Sequence, residues 1–144
     1  MKNILLLALN LVFINCKPQS QEITLYDQTG HPLIYLSPEN DNSFYTWDGH
    51  AVAYLYDSEL IYGWKGKHIG WYINGVIYDL QGYRVGSISE KCPTSVYSES
   101  SKYSKYSQYS RYSRYSPYSR PSLKSSYSDV KLINFITQNK AGQY

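Results

Sequence analysis

Between residues 23 and 89 the chain repeats one pattern of apolar and polar positions four times: ITLYDQTGHPLIYL, SFYTWDGHAVAYL, LIYGWKGKHIGWYI and VIYDLQGYRVGSIS. Each unit is a β-rich run, a polar corner and a second β-rich run, which is the signal of a hairpin. The units align without gaps on a tyrosine and a glycine four positions later: Tyr26 with Gly30, Tyr45 with Gly49, Tyr62 with Gly66, Tyr78 with Gly82. An aliphatic residue follows each glycine by three positions, at Leu33, Val52, Ile69 and Val85, and a small or aliphatic one comes next, at Ile34, Ala53, Gly70 and Gly86. The glycines supply the positive φ that such corners require. The segments joining the units, SPENDN, YDSE and Asn74-Gly75, also carry turn residues, and no helical period occurs in this region.

A repeat of 16 to 19 residues is too short for a propeller blade and suits one hairpin per unit. One hairpin cannot bury its apolar face alone, whereas four around a pseudo-fourfold axis pool those faces and shield each other's edges. The expected fold is therefore all-β, four hairpins over residues 22–91 in a petal-like arrangement. Its core is small, so the large rings of Trp47, Trp64, Trp71 and the repeat tyrosines matter to it.

The flanks follow other patterns. Residues 1–15 open with Lys2 and an apolar stretch too short to cross a bilayer, the layout of a secretory leader. FINC resembles the lipobox of bacterial lipoproteins, with Phe13 and Asn15 departing from its commonest residues. That resemblance implies cleavage before Cys16 and its acylation, with 16–21 as a polar tether. Lys17, in place of an aspartate after the cysteine, points to the outer membrane; without lipidation the protein is expected to be secreted. Residues 92–128 contain KYSKYSQYSRYSRYSPYSR, with tyrosine at every third position. Period 3 builds no stripe on a helix or strand but does so on polyproline II. No aliphatic residue lies between Tyr97 and Pro121, so this segment is expected to be a disordered low-complexity tail whose tyrosines stay out of any core. Beyond it, 129–144 mixes Val130, Leu132, Ile133, Phe135 and Ile136 after a candidate cap at Ser128 or Asp129; a short helix that docks on the petals or on a partner is expected, with a strand as the alternative.

Charge separates the two halves. Residues 22–91 carry nine acidic and four basic side chains, whereas 92–144 carry eight basic and two acidic. Either the tail lies on its own acidic domain or it meets an anionic partner. In the second case Lys102, Lys105, Arg111, Arg114 and Arg120, interleaved with tyrosine faces, are the contacts for an envelope polyanion or glycan; nucleic acid is not expected outside the cytoplasm. A passive spacer is the remaining reading.

YTWDGHAVAYL, IYGWKGKHIGWYING and IYDLQGYRVG resemble the 4-fold beta flower family of small bacterial proteins, over about residues 23–90. The resemblance implies four β-hairpins arranged like petals and brings no activity, ligand or catalytic residue. The first unit departs most, with Thr29 and Pro32 around its glycine.

Chemistry is sparse. His31, His50 and His68 follow the corner glycines, but His68 is offset by one residue, which reverses its face in a strand. Asp27, Asp48 and Asp79 are what turns favour. No nucleophile, phosphate-cradling or Cys-His motif occurs, so neither catalytic residues nor a metal or cofactor is expected. With Cys16 acylated, Cys92 has no intramolecular partner. The expectation is a non-catalytic cell-envelope lipoprotein, an interaction or structural module held to the membrane by its lipid. A glycan- or cell-wall-binding module using Trp47, Trp64 and Trp71 is the alternative, and a hydrolase is the remote one.

Overall fold

The computed structural model describes residues 20–142. The leader and Cys16 lie outside the described residues. Eight antiparallel strands follow in chain order: β1 (Ile23–Tyr26), β2 (Pro32–Ser37), β3 (Ser43–Thr46), β4 (Ala51–Tyr56), β5 (Leu60–Gly63), β6 (His68–Ile73), β7 (Val76–Tyr78) and β8 (Arg84–Ser87). Each pairs with its neighbours and β8 returns to β1 through Tyr26 and Ser87, closing a barrel. Closure leaves no edge for a foreign strand. The all-β, four-hairpin fold expected from the repeat is the one present.

The fourfold pattern extends to single hydrogen bonds. In each hairpin the ladder shifts register at the same place, between Leu25 and Tyr26, Phe44 and Tyr45, Ile61 and Tyr62, and Ile77 and Tyr78. Each corner then closes in one way: Asp27, Thr46, Gly63 and Asp79 donate their N–H to the carbonyls of His31, His50, Lys67 and Tyr83 at 2.9–3.0 Å. The first corner, whose sequence departs most, follows the same scheme as the other three.

Alternation along the strands sends aliphatic side chains one way and aromatic ones the other. Leu25, Ile34, Phe44, Ala53, Ile61 and Ile77 are fully buried in one cluster inside the barrel. Tyr35, Tyr45, Tyr54 and Tyr62 alternate with them on the outer face and are nonetheless buried, at 0–1 % exposure.

Two later segments account for this double burial. The first is α1 (Leu132–Thr137), whose Leu132, Phe135 and Ile136 complete the aliphatic cluster. Small residues make room for it: a Cβ on Gly70 would sit 2.7 Å from the Phe135 ring, and one on Gly86 2.8 Å from a Leu132 methyl. The helix starts from Lys131 without a side-chain cap, not from Ser128 or Asp129.

The second segment corrects an expectation. Residues 92–128, anticipated as a disordered tail, have almost no regular secondary structure but lie against the outside of the barrel as a strap. The tail's own lack of aliphatic residues misleads, because the apolar surface it orders against belongs to the barrel. The expectation for its tyrosines holds: Tyr97, Tyr103, Tyr106, Tyr109, Tyr112, Tyr115 and Tyr118 are 59–71 % exposed.

Candidate functional site: the strap and its aromatic seats

The strap meets the four corners at intervals of nine residues, three of its three-residue periods per petal. Tyr97, Tyr106, Tyr115 and Lys124 donate their N–H to the carbonyls of Gly30, Gly49, Gly66 and Gly82, each at 2.9 Å. Tyr103 and Tyr112 donate to Trp47 and Trp64 at 3.0 and 2.9 Å, again nine residues apart. Pro121 holds the next place in that series and has no N–H to give. The four glycines have φ between +85° and +91°, and a Cβ on any of them would overlap a strap carbonyl oxygen, that of Ser95, Ser104, Ser113 or Ser122. Glycine is thus required twice at each corner, for backbone conformation and for close approach.

A three-residue period turns the tyrosines outward and most of the cations inward. Lys102 Nζ lies 4.6 Å from the Tyr35 ring centroid and Lys105 Nζ 5.4 Å from that of Tyr45. Arg111 sits 3.9 Å from the Tyr54 ring and Arg114 3.7 Å from that of Tyr56. Lys102 also pairs with Glu22 at 2.8 Å, and Lys105 pairs with the same carboxylate. Burial of Glu22 acts to raise its pKa, but the two ammonium groups outweigh it and hold the carboxyl below its ordinary value. Arg120 reaches Glu59 at 3.4 Å. Of the two readings of the charge asymmetry, the chain adopts the one in which the basic segment lies on its own acidic and aromatic surface. The five cations named as polyanion contacts all have partners within the chain.

The histidines serve the strap as well. His31 and His50 stack on Tyr97 and Tyr106, each pair with centroids 4.4 Å apart. Following the same corner-plus-one position, the fourth petal inverts the arrangement, with Lys124 of the strap 4.1 Å from the Tyr83 ring. His68, offset by one residue from the other two, is buried and joins strap to barrel through both ring nitrogens: Nδ1 accepts from the Tyr118 N–H at 3.0 Å and Nε2 donates to the Gly70 carbonyl at 2.9 Å. Burial depresses its pKa below the ordinary value, and the Gly70 carbonyl only partly opposes this.

Protonation would place a hydrogen on the nitrogen that accepts from Tyr118. A histidine with a lowered folded-state pKa contributes stability that is complete above its unfolded value of about 6.5 and is lost as pH falls below it. Thermal stability is therefore expected to decline as pH falls below about 6.5, the unfolded-state value. His68→Gln should remove that part of the profile; an unchanged slope in the variant would rule His68 out as its origin.

The tryptophans proposed as ligand platforms take structural places. Trp64 and Trp71 are 1 % and 2 % exposed, and Trp64 Nε1 donates to the strap carbonyl of Tyr109 at 2.7 Å. Trp47 is half-buried, its Nε1 donating to the Pro32 carbonyl at 2.8 Å, with Lys102 5.8 Å from its ring. Cys92 is a free thiol, half-buried, 3.4 Å from the Asp27 carbonyl oxygen. Among the described residues no group of three His, Cys, Asp or Glu side chains is placed to hold a metal ion, and no helix is long and apolar enough to cross a membrane.

Sequence reasoning missed the seats themselves, Tyr35, Tyr45 and Tyr54, and the register of the strap. A signal for the register existed: Ser95, Ser104, Ser113 and Ser122 recur every nine residues, once per petal. Comparison with known proteins accords with this unity of barrel, strap and helix. No curated protein and no solved structure matches the chain. A family model does, and its match runs from residue 23 to 136, through the strap and into the terminal helix. On that match, and on the four hairpins closed about one axis, the chain belongs to the 4-fold beta flower protein family.

Proposed function

We propose that the protein is a non-catalytic lipoprotein of the cell envelope, anchored at the outer membrane through Cys16, whose strapped barrel serves as an interaction or structural module. The observation that carries this reading is how the strap spends its groups. Lys102, Lys105 and Arg111 and the main-chain donors at the corners are turned to the barrel, while seven tyrosines face solvent at 59–71 % exposure. A large exposed aromatic surface on a small protein marks a contact surface. Closed strands, buried tryptophans and a strap fixed at four corners suit a rigid body that displays this surface. The basic side chains leave less for a polyanion than the sequence suggested, with Arg120 the most open of the ion-paired ones at 49 % exposure.

The anchor rests on the leader pattern that ends at Cys16 and on the polar residues before Ile23. Two or more acyl chains, at about 0.8 kcal/mol per buried methylene, hold a protein stably at a membrane. Expression in a bacterial host, beside Cys16→Ser, is expected to give a diacylglyceryl mass increment and detergent-phase partitioning that the variant loses. An unmodified, water-soluble product cleaved elsewhere would overturn the anchoring.

A further inference from the structure

At the second petal the strap, the corner, α1 and the segment after it border an open crevice of about 680 Å³, within the range of small-ligand pockets. Ala51, Val52 and Ile133 line its apolar part, Tyr106 and Tyr109 of the strap its aromatic part. Asp48 and His50 from the corner and Lys140 from the chain terminus bring charge. We propose that this crevice binds a neutral saccharide, with the sugar ring stacked on Tyr106 and its hydroxyls bonded to Asp48. The inference is independent of the lipid anchor and stands whether or not Cys16 is acylated.

The second corner differs from the other three in what it offers. Asp48 stands directly before the corner glycine, where the first, third and fourth petals have Thr29, Lys65 and Gln81. Asp27 and Asp79 instead serve their own turns, each accepting from two backbone N–H groups through one carboxylate oxygen. Asp48 has a side chain 60 % exposed against 25 % for Asp27. The Thr46 hydroxyl donates to Asp48, and His50 Nδ1 lies 3.1 Å from its other oxygen. The hydroxyl, ahead of the histidine, keeps the carboxylate ionised below its ordinary pKa. It is therefore a fixed acceptor with lone pairs still directed to solvent.

Tyr106 is preorganised in the same way. Its ring lies on His50 at 4.4 Å and 22°, it is 60 % exposed, and its N–H is tied to the Gly49 carbonyl. A flat ring held in place binds with little loss of side-chain entropy. The charges present, one carboxylate and one ammonium, leave no net bias toward an ionic ligand. Flat apolar C–H faces bordered by groups that both donate and accept are the surface of a sugar ring, and this lining offers the complement of each.

The full-length protein should be titrated by calorimetry with cellotriose, chitotriose and maltotriose up to about 10 mM, a range that detects millimolar affinity. At least one is expected to bind. Tyr106→Ala and Asp48→Asn should each weaken it about tenfold, the equivalent of about 1.4 kcal/mol. Tyr97→Ala, at the matching place on the first petal, should leave affinity unchanged. Tyr106→Trp, which keeps a ring on His50, should bind; this separates loss of stacking from a loosened strap. No binding heat with any of the three sugars would overturn the proposal, as would equal loss in Tyr97→Ala.

Discussion

Phe135→Ala is expected to destabilise the protein by about 3–5 kcal/mol, the usual range for removing a buried phenylalanine. The residue is 2 % exposed, belongs to the aliphatic cluster of the barrel and lies against Gly70, where a Cβ would sit 2.7 Å from the ring. The walls cannot collapse into the vacated space, because eight paired strands fix the barrel's width. Cavity cost should therefore lie toward the upper end of the range. Thermal or urea unfolding measures it, and a loss below about 1 kcal/mol would mean that the helix caps the barrel loosely and does not belong to its core. The same geometry explains the glycines at positions 70 and 86: the Phe135 ring and a Leu132 methyl occupy the space that a Cβ would take there.

Gly66→Ala should release part of the strap. The residue holds φ +85°, where an alanine costs about 1–2 kcal/mol by its backbone alone. Its Cβ would also overlap the Ser113 carbonyl oxygen, and neither backbone can yield without breaking the 2.9 Å hydrogen bond from Tyr115 to Gly66. Trypsin reads the result. In the wild type Lys102 and Lys105 are held against Glu22, with side chains 33 % and 29 % exposed, and Arg111 lies on Tyr54, so cleavage within the strap should be slow despite its many basic residues. In Gly66→Ala cleavage is expected first at Arg111 and Arg114, at least about tenfold faster, since local opening that costs about 1.4 kcal/mol less is ten times more populated. If the wild-type strap is cut as fast as an unstructured peptide, it is not seated on the barrel at all.

Much of the barrel was legible from residue order because each hairpin is a local object. The Tyr-to-Gly spacing sets every corner, and four copies in series leave closure as the way to bury four apolar faces. The site was less legible. Trp64 and Trp71 read as sugar platforms because a ring's exposure is not written in its own neighbourhood; that of Trp64 depends on Tyr109 arriving from 45 residues away. Lys102 and Arg111 read equally well as polyanion contacts, since a charge pattern does not say which surface it meets. Tyr106 was visible as one of many tyrosines; Tyr97 stacks on His31 in the same way, and what distinguishes Tyr106 is the crevice it shares with the exposed Asp48.

By itself, then, the order of residues determined the hairpins, their number, their corners and the outward row of tyrosines, all consequences of spacings within about 20 residues. It also determined that the two halves are oppositely charged. The tertiary structure decided where the basic half goes. The strap's apolar partner is the barrel's outer aromatic face, a surface that exists only after eight strands have closed and alternation has set Tyr35, Tyr45, Tyr54 and Tyr62 side by side. A segment too polar to bury anything of its own becomes ordered when another part of the chain supplies the surface, and that dependence lies in no window of the sequence.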